Sequence, residues 1–270
     1  MRVSKEDYKN QKQEEKKVLE RKLDTFLSSA LTNKQNMDKL TAHYRVTGLY
    51  GYSMFNSFLI AMQGGTIAQS FSRWQKVNRC VNKGEKSHIN IFAPLIKKEK
   101  DANNNIIDTL IGFRLMPVFD LPQTNGEELE YDHNSKDNTT ISYDDFKTKM
   151  ETLCKIPVKE IMSTSARGYA TDDTLYISSL SNNTDKIKTL IHEVAHHILH
   201  HTDTQDKVSH ATKEVEAESV SHLVSSYMQL DYDLSEAYIS AWQSGINTVR
   251  TKAIISTADR IIKHISKELK

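Results

Sequence analysis

Residues 189–201, "TLIHEVAHHILHH", constrain the fold more than any other segment, because they contain the pattern His-Glu-x-x-His. Two histidines four residues apart reach one ion when the segment is α-helical, since they then lie one turn apart on the same face. The glutamate after the first histidine is rotated by about 100° around the helix, so it can reach a water molecule on the metal without binding the metal itself. The spacing predicts His192 and His196 as zinc ligands and Glu193 as the catalytic base of a hydrolase.

The other histidines of this segment also occur four residues apart, as His196/His200 and His197/His201. Only His192 and His196 have a glutamate directly after the first histidine and lie at the margin of the apolar face. We therefore expect His197, His200 and His201 to be solvated surface imidazoles.

A third ligand is expected from the segment "KEVEAESVSHLV", because a zinc site of this kind has three protein ligands. Glu214 and Glu218 are four residues apart and share one helix face, whereas Glu216 lies about 160° from both. We expect Glu214 to bind the metal and Glu218 to orient a histidine from behind, with Glu216 as the alternative ligand.

The developing oxyanion of a hydrolytic reaction needs an electrophilic partner. Tyr169 is the first candidate, because it lies in the segment "YATDDTLYISSL" at 169–180, which is predicted to form a hairpin or edge strand. Tyr176 and His222 are the alternatives. An edge strand beside the metal would hold an extended peptide, which favours a peptidase over a small-molecule amidase.

The net charge of +1 conceals a strong asymmetry along the chain. Residues 39–100 contain ten Lys or Arg and two Glu, whereas residues 101–145 contain ten acidic and two basic residues. A basic block of this kind indicates either a polyanion-binding surface or a solvated face whose charges meet the acidic block. No secretory signal and no apolar run of about 18 residues occurs, so we expect a cytoplasmic protein that does not enter a membrane.

Hydrophobic periodicity and turn residues predict the coarse order of elements. The predicted helices are 1–30, 41–62, 67–77, a stretch from Tyr143 to about Ile156, the metal helix after the cap cluster at 181–183, 212–230 and 234–267. Strands are predicted at 88–96 and within 106–120, forming a hairpin. The fold class is α+β with two domains, and residues 131–142 form an acidic, polar linker.

The N-terminal half resembles the single-stranded-DNA-binding domain of ArdC-type antirestriction proteins. The matching pieces are "YSMFNSFLIAMQ" (52–63), Trp74, "VNKGEKSHINIFAP" (81–94), "GFRLMPVFD" (112–120) and "QT" (123–124), which appear in the family's order. The C-terminal half resembles the zinc peptidase domain of such proteins through "HEVAHHILH" and "EVEAESV". The resemblance implies a single-stranded-DNA-binding domain at 1–130, in which 1–20 is a charged helical extension, and a mostly helical, zincin-like metallopeptidase domain with a small edge sheet at 143–270.

Binding of single strands needs cations for the phosphates and aromatic rings for base stacking, and residues 71–98 supply both. The predicted DNA-binding residues are Arg73, Trp74, Lys76, Arg79, Lys83, Lys86, Lys97 and Lys98. Phe71 adds a second aromatic ring to this segment, although a helical spacing is equally typical of core residues.

Together these features predict a single-stranded-DNA-binding protein with a Zn²⁺ metallopeptidase domain. By resemblance, it protects mobile-element DNA against restriction. The alternatives are a zinc metalloprotease that cleaves a protein or peptide regulator, and a non-enzymatic DNA binder with structural zinc.

Overall fold

A computed structural model describes residues 5–100, 105–129, 141–200, 208–243 and 250–267. The chain divides into two compact units: the first comprises 1–26, 46–52 and 56–131, and the second comprises 27–45, 53–55 and 132–270. Residues 27–45, which the sequence analysis placed in the N-terminal domain, therefore cluster with the C-terminal part. The predicted linker lies outside the described residues except at 141 and 142, and the predicted domain boundaries stay a prediction.

The secondary structure is mixed, which confirms the α+β prediction. The helices are α1 (Lys5–Leu31), α2 (Lys34–Gly48), α3 (Met54–Met62), α4 (Phe71–Lys76), α5 (Tyr143–Cys154), α6 (Asn183–His200), α7 (His210–Tyr227), α8 (Glu236–Gln243) and α9 (Thr251–Ile265). The strands are β1 (Ala68–Gln69), β2 (Arg79–Val81), β3 (Ile89–Lys100), β4 (Ile106–Asp120), β5 (Thr124–Gly126), β6 (Val158–Ile161), β7 (Gly168–Ala170) and β8 (Leu175–Ser178), and a 3-10 turn spans Leu121–Gln123. Within the described residues, no helix has the length and apolar character to cross a membrane.

The first unit is built on an antiparallel sheet in the order β1–β4–β3, with β2 and β5 paired separately. Alternating apolar residues on β3 and β4 face its core, as the period-2 pattern of a half-buried sheet requires. Its buried cluster consists of Tyr52, Ile60, Ala68, Ile89, Ile91 and Val118. The predicted hairpin of strands near 88–96 and 106–120 is thereby confirmed, and the turn at 101–104 lies outside the described residues.

Two predicted helices are each divided into two, so the sequence analysis was wrong about their continuity. The predicted helix 41–62 is interrupted between α2 and α3, where Gly51 adopts a φ of 78° that a non-glycine residue rarely accepts. The predicted helix 234–267 is interrupted at Arg250, whose φ of −92° and ψ of 75° are not helical. The backbone N–H of Arg250 donates instead to the carboxylate of Glu216, at 2.8 Å.

In the second unit, α6 begins as the sequence predicts, because the side-chain oxygen of Asn182 accepts a hydrogen bond from the N–H of Asp185 at 3.0 Å. Ser209 caps α7 in the same way through the N–H of Thr212, at 3.2 Å. The helices bury a common apolar core, which includes Leu190, Ile191, Val194, Ala217, Val220, Leu223, Ile254, Ala258 and Ile261. A small sheet in the order β6–β8–β7 leaves β7 at an edge, with β6 parallel and β7 antiparallel to β8.

Candidate metal centre

Helix α6 presents its two motif histidines to one point. The Nε2 atoms of His192 and His196 lie 3.0 Å apart, and both side chains are partly buried. Two imidazole nitrogens directed at one point at this separation are the arrangement that a shared cation requires. The helical spacing of the motif thus produces the geometry that it predicts.

Helix α7 brings Glu214 to the same point. Its carboxylate oxygens lie 3.5 Å from His192 Nε2 and 3.2 Å from His196 Nε2. Zinc bonded at about 2.1 Å to tetrahedral ligands separates their donor atoms by about 3.4 Å. The three observed separations of 3.0, 3.2 and 3.5 Å bracket that value. Within the described part of the chain, these three residues are the group of His, Cys, Asp and Glu side chains that could hold a metal ion.

The charges of the three groups are coupled even without a cation. Hydrogen bonds with His192 and then His196 lower the pKa of Glu214 well below its usual range. Burial lowers the pKa of His192, but the hydrogen bond with Glu214 and the nearby carboxylates outweigh it and leave the pKa raised. Burial leaves the pKa of His196 below its usual value. Glu214 is therefore a carboxylate at neutral pH, as a metal ligand must be.

Glu193 is buried beside the two histidines, with 7% of its surface exposed. Burial raises its pKa to about 7, although the charge of His192 acts in the opposite direction. A carboxyl with a pKa near neutrality is suited to both taking and returning a proton. The role of Glu193 as a general base stays a prediction, which its buried position beside the two histidines favours.

The edge strand β7 passes close to Glu193. A Cβ atom added to Gly168 would lie 2.6 Å from Cγ2 of Thr189, 2.9 Å from the carbonyl oxygen of Tyr176 and 3.3 Å from Cγ of Glu193. Glycine at position 168 therefore permits the backbone of β7 to approach α6 at the level of the predicted base. Gly168 could not be singled out from the sequence, because nothing near it marks a turn.

His200 is not a solvated surface imidazole, so the prediction for this residue was wrong. Only 7% of its side chain is exposed, and its Nε2 lies 3.0 Å from the carboxylate of Glu216. Its Nδ1 lies 3.2 Å from Nδ1 of His196. The acidic partner comes from another helix, so helical position within α6 alone could not reveal it.

Glu216 is a fully buried carboxylate that does not reach the place where His192, His196 and Glu214 converge. Arg250 donates to it from the backbone N–H at 2.8 Å, from Nε at 3.1 Å and from Nη2 at 2.8 Å. Burial raises the pKa of Glu216, but the hydrogen bonds from His200 and Arg250 outweigh it and lower the pKa to about 2. Between the two candidates for the third ligand, the structure brings Glu214 to the histidines and leaves Glu216 paired behind them.

Glu218 does not occupy the place predicted for an acid that orients a metal-binding histidine. Its carboxylate contacts the hydroxyl of Ser235 at 3.4 Å and lies 3.9 Å from Nε2 of His222. Glu216 is the carboxylate that contacts His200, the histidine beside His196. Burial lowers the pKa of His222 to about 4, so this buried imidazole is neutral near pH 7.

The two tyrosines proposed for oxyanion stabilisation stack on each other. Tyr169 and Tyr176 face each other across β7 and β8, with ring centroids 4.6 Å apart and an interplanar angle of 19°. Tyr169 is 43% exposed, and its role in catalysis stays a prediction. His197 is half-buried, unlike the solvated imidazole expected, and His201 lies outside the described residues.

Of the two aromatic rings considered for base stacking, Trp74 is fully buried and its Nε1–H donates to the carbonyl of Phe119 at 2.8 Å. Its predicted role as a stacking platform was wrong, because no face of the ring is open to a base. Phe71 is 50% exposed. The sequence could not separate these rings, since a tryptophan at helical spacing suits a core and a surface equally.

The predicted cations fall into two groups. Arg79 is bound to the backbone of β5 and the residue after it, through the carbonyls of Thr124, Gly126 and Glu127, and Arg73 donates to the carbonyl of Tyr50 at 2.9 Å. The exposed lysines are Lys76, Lys83, Lys86, Lys97 and Lys98, of which Lys97 pairs with Glu99 at 2.7 Å. They lie at the end of α4, in the turn between β2 and β3, and near the end of β3.

Residues 147–251 match the family model Peptidase_M78, described as the IrrE N-terminal-like domain. This region is a metallopeptidase-like domain. The metallopeptidase-like domain contains His192, Glu193, His196 and Glu214. Its match begins within α5 and ends at the first residue of α9.

Two similar solved structures are crystal structures of the antirestriction ArdC protein from R388 plasmid. The metal-free structure has a TM-score of 0.47 and 16% identity, and the match covers 85% of this chain and 94% of that one. The Mn(II)-bound structure has a TM-score of 0.47 and 18% identity, with coverages of 80% and 85%. Both belong to the family that the sequence resemblance named. No curated protein matches the chain.

Proposed function

We propose that the chain is an ArdC-type antirestriction protein that binds single-stranded DNA and carries a zinc peptidase site. The observation that carries the peptidase site is the convergence of His192, His196 and Glu214 within 4.8 Å of one another, with Glu193 buried beside them. The antirestriction role rests on the motifs of residues 20–130. The exposed lysines and Phe71 support DNA binding in the same region.

At this site, the two imidazoles and the Glu214 carboxylate would hold Zn²⁺, since neutral imidazole and carboxylate suit this cation, and manganese and iron compete for such ligands. When bound, the metal would lower the pKa of a water molecule and polarise a carbonyl group. Glu193 would take a proton from that water and return it to the leaving amine. The edge of β7 would hold an extended peptide through backbone hydrogen bonds.

The peptidase part is tested by Glu193→Gln, which keeps the size of the side chain and removes its basicity. We expect metal and DNA binding to remain and hydrolysis of a denatured protein or peptide library to fall by about 10²- to 10⁴-fold, the usual effect of a general base. The measurement is peptide release followed by mass spectrometry.

Glu236→Gln is a matched control on an exposed residue of α8 and should leave hydrolysis unchanged. Equal hydrolysis in Glu193→Gln and the wild type would contradict the proposed base. A wild-type protein that binds metal, hydrolyses none of the peptides and unfolds when the metal is removed would favour structural zinc.

The DNA-binding part is tested by fluorescence anisotropy with a labelled single-stranded oligonucleotide over a series of salt concentrations. The affinity should fall steeply with salt, because bound lysines release counterions from the phosphates. The double variant Lys83→Ala/Lys86→Ala should reduce the slope of log K against log[salt] by about 1.4, since each contact to a single strand contributes about 0.7.

Lys159→Ala, an exposed lysine of the second unit, is the control and should leave the slope unchanged. A salt-independent affinity would exclude the proposed binding. An unchanged slope in the double variant, with unchanged affinity, would exclude the Lys83–Lys86 turn from the binding surface.

A metalloprotease that cleaves a protein regulator is the second candidate function. The arrangement of the buried Glu193 beside the edge strand β7 favours it, because that arrangement suits an extended peptide. A biological effect that is lost in Glu193→Gln, while DNA binding persists, would support this candidate over a role confined to DNA.

A further inference from the structure

A chain of hydrogen bonds continues from the predicted metal ligand His196 into the interior of the second unit. It starts at His196, passes through His200 to Glu216, and ends at Arg250. The contacts along it measure 3.2 Å between the two Nδ1 atoms, 3.0 Å from His200 Nε2 to the carboxylate, and 2.8 Å from that carboxylate to Nη2 of Arg250. None of these residues after His196 is part of the proposed metal site.

The far end of this chain is fixed by a buried charge. The Glu216 side chain has no exposed surface, and Arg250 binds both of its oxygens from the guanidinium and one of them from the backbone N–H. A buried carboxylate paired with arginine in this way accepts hydrogen bonds and donates none. The Nε2 of His200 must therefore carry the proton that faces Glu216.

The proton on Nε2 of His200 determines which ring nitrogen of His196 donates to His200. A neutral imidazole has one N–H, so a His200 protonated on Nε2 offers an unprotonated Nδ1 to its neighbour. Two nitrogens at 3.2 Å form a hydrogen bond only if one of them donates, so His196 must donate from its own Nδ1. The Nε2 of His196 then presents a lone pair. Without a metal, that lone pair accepts from Nε2 of His192 at 3.0 Å, and the competing tautomer instead donates from Nε2 to Glu214 at 3.2 Å.

We propose that His200 and Glu216 are positioning residues that hold His196 in the tautomer able to bind a metal through Nε2. Arg250 keeps the carboxylate in place through its guanidinium and its backbone N–H. This inference rests on the proposed metal site for its purpose, but the arrangement of protons is a property of the chain without metal. Histidine ligands in general depend on such partners at the second ring nitrogen.

The first test uses the metal-free protein labelled with ¹⁵N-histidine, at about pH 8, which is above the ordinary histidine pKa of about 6.5. Long-range ¹H–¹⁵N correlation spectra report which ring nitrogen carries the proton. We expect an Nδ1–H on His196 and an Nε2–H on His200. The opposite tautomer on either residue would overturn the proposal, whether or not the protein binds zinc.

The second test separates positioning from packing by two substitutions of His200. His200→Asn retains an acceptor near the Nδ1 position, whereas His200→Leu fills the buried space without one. We expect the zinc dissociation constant, measured by chelator competition, to rise by about 10- to 100-fold in His200→Leu and by less in His200→Asn. A purely structural role predicts instead that zinc affinity follows the free energy of unfolding in both variants, because both substitutions remove the donor that faces the buried carboxylate of Glu216.

His197→Leu is the matched control on the same helix and should bind zinc as the wild type does. Equal zinc affinity in His200→Leu, His200→Asn and the wild type would overturn the proposal. A wild-type protein that binds no zinc would contradict the proposed function instead, and the tautomers of the metal-free protein would still decide the inference. Should a variant not fold, the spectra of the wild type decide.

Discussion

The predicted metal ligands of the second unit lie close together, whereas the predicted DNA-binding lysines of the first unit are spread over several segments. His192, His196 and Glu214 converge within 4.8 Å. The lysines occupy separate elements, and Lys97 lies about 26 Å along β3 from Ile89, at about 3.3 Å per residue. The spacing of metal ligands in a sequence predicts their geometry, because one ion must touch every ligand. A count of basic residues predicts only that a surface is positively charged.

The largest expected difference in the first unit is between the side chains of Trp74 and Phe71. Trp74→Ala should lower the free energy of unfolding by about 3–5 kcal/mol, because it removes a fully buried ring. Phe71→Ala should change stability little and weaken single-stranded-DNA binding by about 1–3 kcal/mol if a base stacks on the ring. Chemical denaturation and anisotropy measure the two effects separately.

Loss of DNA affinity in a folded Trp74→Ala protein, with Phe71→Ala unaffected, would reverse these assignments. It would mean that the tryptophan leaves the core to meet a base, against its buried position in the structure.

A smaller effect is expected in the second unit from Gly168→Ala. The added methyl group would meet Thr189 and the carbonyl of Tyr176, so we expect a loss of about 1–3 kcal/mol in stability from overpacking. Peptide hydrolysis should fall further than zinc affinity, because β7 is displaced from Glu193 while the ligands stay on α6 and α7. Thermal unfolding, zinc titration and peptide release provide the three readouts.

Ala170→Ser, on the same strand, is the control. Full peptidase activity in Gly168→Ala would show that the close approach of β7 to α6 is not needed for the reaction.

The smallest expected effect is a change in the salt dependence of DNA affinity, which tests whether the predicted DNA-binding lysines lie far apart. Lys98→Ala should reduce the salt slope by about 0.7 for a long oligonucleotide, which can follow the length of β3. A short oligonucleotide bound at the Lys83–Lys86 turn should not detect the change. An equal reduction for both lengths would mean that the lysines act as one compact patch, which would remove the contrast between the two regions.

The sequence predicted what depends on local spacing. The helical period placed His192, Glu193 and His196, and the asparagine cap fixed the start of α6. It could not decide between Glu214 and Glu216, because that choice depends on how α7 is rotated against α6 in the folded unit.

The sequence failed where a residue depends on a distant partner. His200 looks like a surface residue until Glu216 and Arg250 are beside it, and the break before α9 has its hydrogen-bonding partner on α7. Trp74 is of a residue type that stacks on bases, but its ring is buried in the core. These contacts join residues that are 16, 34 and 45 positions apart, which is farther than a periodic pattern can report.

The central claim is that Glu214 completes a metal site with His192 and His196, and zinc titration of two matched variants tests it most directly. Glu214→Gln and Glu218→Gln make the same chemical change one helical turn apart on α7. We expect Glu214→Gln to weaken zinc binding by more than about 100-fold, beyond the range for groups behind the ligands, while Glu218→Gln binds nearly as the wild type does. Wild-type affinity in Glu214→Gln, or an equal loss in both variants, would contradict the claim.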